Sequence, residues 1–213
     1  MNSVFIFGAA MQRLKPEIEE SLVHAALVMF SRQGFRRATM AGIAKTAGVS
    51  TGNVYLYFQN KEVLFARAIP ASFVKQFRDL VCEKAQAGVG AHDLHRLQAD
   101  APYFLLSEQL LTFCVQHRRQ IIIVLSKSED TPYANVADEM VRTLSKIALT
   151  HLLALRPQAQ VTAIMRFNLS QIYRNAIAAV VNILNHFESP LMIRRALQEY
   201  TRFHVSGLKG LLS

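Results

Sequence analysis

The sequence predicts an all-α fold: a small helical unit near the N-terminal end, then a larger helical domain. Three observations carry this. Apolar residues recur at helical spacing through almost every segment. Gly, Pro and short polar clusters cut the chain into pieces of helix length. The run from Ile121 to Leu125 is rich in branched aliphatics, but its helical neighbours make it a buried helix rather than a lone strand.

The elements follow in order. Leu22, Ala25, Ala26, Met29 and Phe30 fall on one face of a first helix, with Glu17, Glu19 and Glu20 in its opening turn, where they complement the helix dipole. Gly34 ends that helix and Phe35 returns the chain to the core. Thr39 is the N-cap of a second helix, about Met40 to Thr46. Gly48 breaks it, Ser50 caps a third helix, and Asn60 precedes a long fourth one starting at Lys61. Gly88 and Gly90 end the fourth. Asp100 and Pro102 suit the first turn of the next. Ser128 to Pro132 and Arg156 to Gln160 are polar breaks, and Ser189 with Pro190 opens the last helix.

Composition bounds the function. Hydrophobic residues make up 51% and charged residues 18% of 213, enough for a sizeable core. Net charge is +9, which points to an anionic partner. The charge is concentrated: Ser21 to Lys61 holds no Asp or Glu but contains Arg32, Arg36, Arg37, Lys45 and Lys61. Such a segment around a turn is the footprint of a phosphate-facing surface. Cys82 and Cys114 are the only cysteines, so neither a disulfide framework nor a thiolate zinc site follows. Apolar runs such as Ile177 to Val181 are too short to span a bilayer, and MNSVFIFGAA lacks the basic start of a signal peptide. A cytoplasmic location without membrane contact is expected. Met11 would make a sensible start, which leaves residues 1–10 as an upstream extension.

The stretch TAGVSTGNVYLYFQNK, Thr46 to Lys61, carries the chemistry. Two short helices joined by a Gly-containing turn form a helix-turn-helix, whose second helix lies in the major groove of DNA. Val54 and Phe58, four apart, face the core. Tyr55 and Tyr57 lie off that line, so their hydroxyls are assigned to phosphate. Lys61 adds a charge for phosphate, and Arg37, Thr39, Lys45 and Ser50 are also assigned to DNA binding. Gly52 lets the backbone approach closely. Thr51 and Asn53 stand at the reading end, where Asn pairs with adenine, and Leu56 can touch a thymine methyl.

The segment LVHAALVMFSRQGFRRATMAGIAKTAGVSTGNVYLYFQNKEVLF resembles the DNA-binding domain of the TetR family of transcriptional regulators. The resemblance rests on Ala25, Ala26, Phe30, Gly34, Thr39, Ile43, Ala44, Ala47, Gly48, Val49, Ser50, Gly52, Tyr55, Phe58 and Lys61, over roughly a quarter of the chain. Tyr57 stands where the family often has His. The resemblance implies a three-helix DNA-binding domain followed by a larger helical ligand-binding and dimerisation domain. Residues 1–15 then form an N-terminal extension, 16–60 the helix-turn-helix domain, and 61–213 the effector-binding and dimerisation domain. It further implies a homodimeric repressor that a small molecule releases from double-stranded DNA. The alternative is a DNA-binding protein not controlled by a small ligand.

Two further sets of residues are assigned in the larger domain. Phe104, Phe113, His117, Ile121, Met140, Leu144, His151, Met165, Asn168, Tyr173 and Asn175 mix apolar bulk with a few polar groups, as a ligand cavity does. Few acids occur there, so the expected effector is apolar or weakly polar. Ile172, Ala176, Ala179, Val180, Leu184, Phe187, Leu197, Tyr200 and Leu208 are assigned to the dimer interface, because the last two helices are apolar around more than one stripe. His92, Asp93 and His95 have helical spacing for a metal but no fourth ligand. No Ser has a nucleophile motif and no Gly-rich phosphate loop occurs, so neither an enzyme nor a cofactor is expected.

Overall fold

The computed structural model describes residues 15–89 and 102–212, and every regular element among them is an α-helix. The first three are α1 (Pro16–Arg37), α2 (Met40–Ala47) and α3 (Thr51–Tyr57). Then come α4 (Lys61–Ala68), α5 (Ala71–Val89), α6 (Pro102–Gln116) and α7 (Arg118–Ser126). The chain finishes with α8 (Val136–Leu155), α9 (Ala163–His186) and α10 (Pro190–Leu212).

The expected breaks fall where backbone chemistry demands them. Pro16 occupies the first turn of α1, where its missing N–H costs nothing. Inside α1, Gly34 departs from helical geometry at φ 84° and ψ 163°, a region open essentially to glycine alone. The kink turns Phe35 inward, and its N–H donates to the Lys127 carbonyl at 3.1 Å.

One predicted element is divided. The long fourth helix from Lys61 is two helices, because Pro70 has no N–H to donate and restricts the residue before it. The carbonyls freed at this break find other donors. Gln120 Nε2 donates to the Ala68 carbonyl at 3.0 Å, and the Tyr133 hydroxyl to that of Ile69 at 3.4 Å. Gly88 lies within α5 rather than ending it, while Gly90 and Asp100 lie outside the described residues.

The core explains the sequence pattern. Leu22, Ala25, Ala26 and Phe30 of α1 are buried with Ile43, Val54, Leu64 and Phe65, so α1 to α4 close around one apolar centre. Phe30, Phe35 and Phe65 meet there at centroid distances of 5.7, 5.4 and 4.9 Å. Each buried ring contributes roughly 1.5–3 kcal/mol relative to exposure. The run Ile121 to Leu125 is buried throughout, as a helix packed against α1, α8 and α9. A second cluster, with Val141, Leu144, Ala148, Leu169 and Tyr173, joins α8 to α9.

Candidate nucleic-acid interface and cavity

Local hydrogen bonding fixes the α2–α3 unit. Thr39 Oγ1 accepts from the Gly42 N–H at 3.1 Å, and Ser50 Oγ accepts from the Asn53 N–H at 3.2 Å. Both hydroxyls therefore cap helices while keeping their own protons to donate outward. Gly48 closes α2 in the left-handed region at φ 71°. Val54 and Phe58 anchor α3, at 0% and 3% exposure. That anchorage turns Thr51, Gly52, Tyr55 and Leu56 outward, with Asn53 half-buried beside them. Tyr55 and Leu56 are 53% and 55% exposed, an apolar and aromatic patch that the protomer itself leaves uncovered.

The surrounding charge is basic. Arg37 and Lys45 are exposed near the end of α1 and on α2. Arg36 is paired instead with Asp130, at 2.8 Å, which ties the end of α1 to the loop after α7. Tyr57 is half-buried, and its hydroxyl accepts from the Lys15 N–H at 3.0 Å. One proton remains on that hydroxyl, but its position is set by the start of α1.

Lys61 is placed differently from its sequence assignment. Its Nζ donates to the carbonyls of Phe35 at 2.9 Å and Ala38 at 3.0 Å, with Arg36 at 3.4 Å, and lies 4.3 Å from the Phe35 ring centroid. An ammonium has three donors, and here they serve carbonyls left over where α1 kinks and ends. The side chain therefore closes the end of α1 instead of reaching for phosphate.

A cavity of about 530 Å³ lies among α5, α6, α8, α9 and α10. Met140, Leu144, His151 and Tyr173 line it, as the sequence suggested. The other assigned pocket residues do not. Phe113 stacks on Phe73 and Phe77 at 5.3 and 6.0 Å, since Cys114 takes the cavity side of that turn. His117 packs on Phe113 and its Nδ1 meets Gln120 Oε1 at 2.8 Å. Ile121 is wholly enclosed within α7, and Phe104 sits one residue, about 100° of helix, away from the lining Tyr103. Met165 packs on the second core cluster, Asn168 is half-buried off the cavity, and Asn175 is exposed.

The interface assignment also shifts. Leu184 and Leu197, at 0% and 4% exposure, belong to the protomer's own core. Ala176, Val180, Leu197, Tyr200 and Leu208 line the cavity. Ile172, Ala179 and Phe187 are half-buried. The exposed apolar side chains of α9 and α10 are Ile164, Phe167, Leu191, Met192 and Phe203.

Sequence reasoning missed Lys84, Tyr103, Cys114 and His204 in the cavity wall. The recurrence of Leu197, Tyr200, Thr201, His204 and Leu208 marks one face of α10 and was the available signal for His204. Burial lowers the pKa of Lys84 and of His204, and raises that of Cys114 to about 12, so Cys114 is a thiol at neutral pH. His92, Asp93 and His95 lie outside the described residues, and no metal-binding group of three His, Cys, Asp or Glu occurs among the described ones. No helix among the described residues is long and apolar enough to cross a membrane.

Comparison with known proteins locates the similarity in this first unit. The model of bacterial regulatory proteins of the tetR family matches residues 22–68. The chain is 35% identical over 66 residues to the uncharacterized HTH-type transcriptional regulator YfiR of Bacillus subtilis, covering 31% of this chain and 32% of that protein. It is 30% identical over 80 residues to the fatty acid metabolism regulator protein of the same organism, covering 36% and 41%. It is 35% identical over 86 residues to the HTH-type transcriptional regulator BetI of Klebsiella pneumoniae, covering 40% and 44%. The chain thus spans less than half the length of each of these relatives. The crystal structure of a TetR-like transcriptional regulator from Rhodococcus sp. RHA1 aligns over 94% of this chain and 96% of its own, at 21% identity and a TM-score of 0.47.

Proposed function

We propose that this chain, whose residues 22–68 match the model of the tetR family of bacterial regulatory proteins, is a sequence-specific DNA-binding repressor of that family that works as a homodimer and leaves its operator when a small molecule binds. The observation that carries the reading is the outward face of α3. Thr51, Gly52, Tyr55 and Leu56 stand clear of the fold on a helix anchored from behind, in a segment free of acids. Thr51 and Asn53 read bases, Leu56 meets a thymine methyl, and Tyr55, Arg37 and Lys45 hold phosphates. The DNA-binding unit ends at Pro70 in this reading, since α4 packs with α1.

Dimerisation uses the exposed apolar side of α9 and α10, where Ile164, Phe167, Leu191, Met192 and Phe203 meet a second copy. The effector occupies the cavity. A mechanical link supports control from there. Leu125 of α7 lines the cavity, and two residues on the Lys127 carbonyl holds the Phe35 N–H. Gln120 of the same helix holds the Ala68 carbonyl at the α4–α5 break. A ligand that displaces α7 moves α1 and α4 together and alters the distance between the two recognition helices of the dimer. Such a ligand must favour the non-operator conformation, and operator DNA must weaken its binding by the same factor.

The test is selection of binding sites from randomised duplex DNA by the purified chain. A near-palindromic motif with half-sites about one DNA turn, or a multiple, apart supports the reading. Recovery of no motif, or of a single unrepeated half-site by a monomer, rejects it.

A further inference from the structure

The cavity wall is mainly aliphatic and aromatic, with Val81, Leu110, Met140, Leu144 and Ile177 among its residues. Its charged groups are of one sign. Lys84 lies in the wall and Arg156 also lines it, exposed at the end of α8; no Asp or Glu occurs among the described lining residues. The Lys84 Nζ stands 5.9 Å from the Tyr103 ring centroid, and it forms no ion pair among the described residues.

Burial already lowers the pKa of Lys84, and Cys114 beside it is protonated, so among the described lining residues no anion offsets the ammonium. A buried charge without a partner is costly, and a ligand that brings a counter-charge removes that cost. Burial, and after it the Lys84 charge, lower the pKa of His204 in the same wall, so at neutral pH it carries no charge and its single N–H can donate to an anion.

We infer that the effector of this cavity is an amphipathic carboxylate, its head paired with Lys84 and its apolar body filling the space between α8, α9 and α10. The inference rests on the reading of the cavity as the effector site. A cavity of about 530 Å³ is of the size that holds a small organic ligand, about 300–1,000 Å³. One ammonium suits a monoanionic head better than a polyanionic one.

The experiment compares dodecanoate, dodecanol and dodecyltrimethylammonium, each titrated calorimetrically into the full chain below the concentration at which it forms micelles. The expected order is dodecanoate, then dodecanol, then the cation. Lys84→Met should weaken dodecanoate by at least about tenfold, the worth of one charge-assisted hydrogen bond, and leave dodecanol unchanged. Lys84→Arg should restore most of the loss. Thermal unfolding of each variant checks its fold, and the three head groups on the unaltered chain decide the matter without any variant. If dodecanol binds as well as dodecanoate, or Lys84→Met weakens both equally, the carboxylate assignment is overturned while the cavity remains an effector site. If none of the three binds, the effector-site reading falls, and the assignment with it.

Discussion

Replacing Lys61 should destabilise the fold before it touches DNA recognition. The substitution Lys61→Met keeps an apolar stem over Phe35 but removes the ammonium from the carbonyls of Phe35, Ala38 and Arg36. Hydrogen bonds to charged groups contribute about 1.5–3 kcal/mol each when made inside a protein. Lys61 is half-buried, so water replaces part of what is lost, and one such bond is a fairer measure than three. The contact with the Phe35 face, at 4.3 Å, adds about 0.5–1 kcal/mol. The sum is about 2–4 kcal/mol, which in a chain of this size lowers Tm by roughly 4–16 °C. Urea unfolding followed by circular dichroism measures it, with Lys61→Arg as the conservative control. An unfolding midpoint equal to that of the unaltered chain, together with a loss of DNA affinity, would refute the reasoning and return Lys61 to phosphate.

Three other outcomes follow from the geometry. Gly34→Ala forces a side chain into φ 84°, so it should cost about 1–3 kcal/mol in urea unfolding; an unchanged midpoint would show that the kink is not required. Gln120→Leu leaves the Ala68 carbonyl without its donor and should cost about 1–3 kcal/mol; because it also cuts a link between α7 and α4, it should reduce the antagonism between a cavity ligand and DNA, as seen by titrating ligand with and without operator. The Cys114 thiol, ordinarily at 9.0, sits at about 12 in the fold, so it contributes stability fully present below pH 9 and lost as pH rises toward 12; at pH 8 iodoacetamide should label it only after unfolding, and rapid labelling of the folded chain by mass spectrometry would contradict its burial.

Much of the small unit was legible because short-range chemistry builds it. The caps at Thr39 and Ser50, the left-handed Gly48, and the spacing of Val54 and Phe58 each constrain a few neighbouring residues, and all match the structure. The α4–α5 break had an equally local cause in Pro70, but helical periodicity continues across it and hid the interruption. Lys61 was misread because its partners lie 23 to 26 residues away, on carbonyls that no side-chain pattern announces. The cavity was harder still. α6 turns Tyr103 and Cys114 inward and Phe113 away, a phase set by the packing of α5 and not by α6's own composition. The apolar excess of α9 and α10 was visible, yet it serves two faces. Leu184 and Leu197 fill the protomer, and Phe167 and Phe203 stay outside.

The central claim is that the exposed face of α3 reads DNA while its neighbours hold phosphate. Fluorescence anisotropy tests it most directly, with the site selected from random duplexes and salt varied from about 50 to 200 mM. The account predicts a linear fall of log affinity with log salt, a parallel and uniform loss for Tyr55→Phe on all site variants, and for Asn53→Ala a changed preference at a single base pair. Salt-independent binding, or a Tyr55→Phe protein that loses discrimination at one base pair and retains affinity elsewhere, would contradict it.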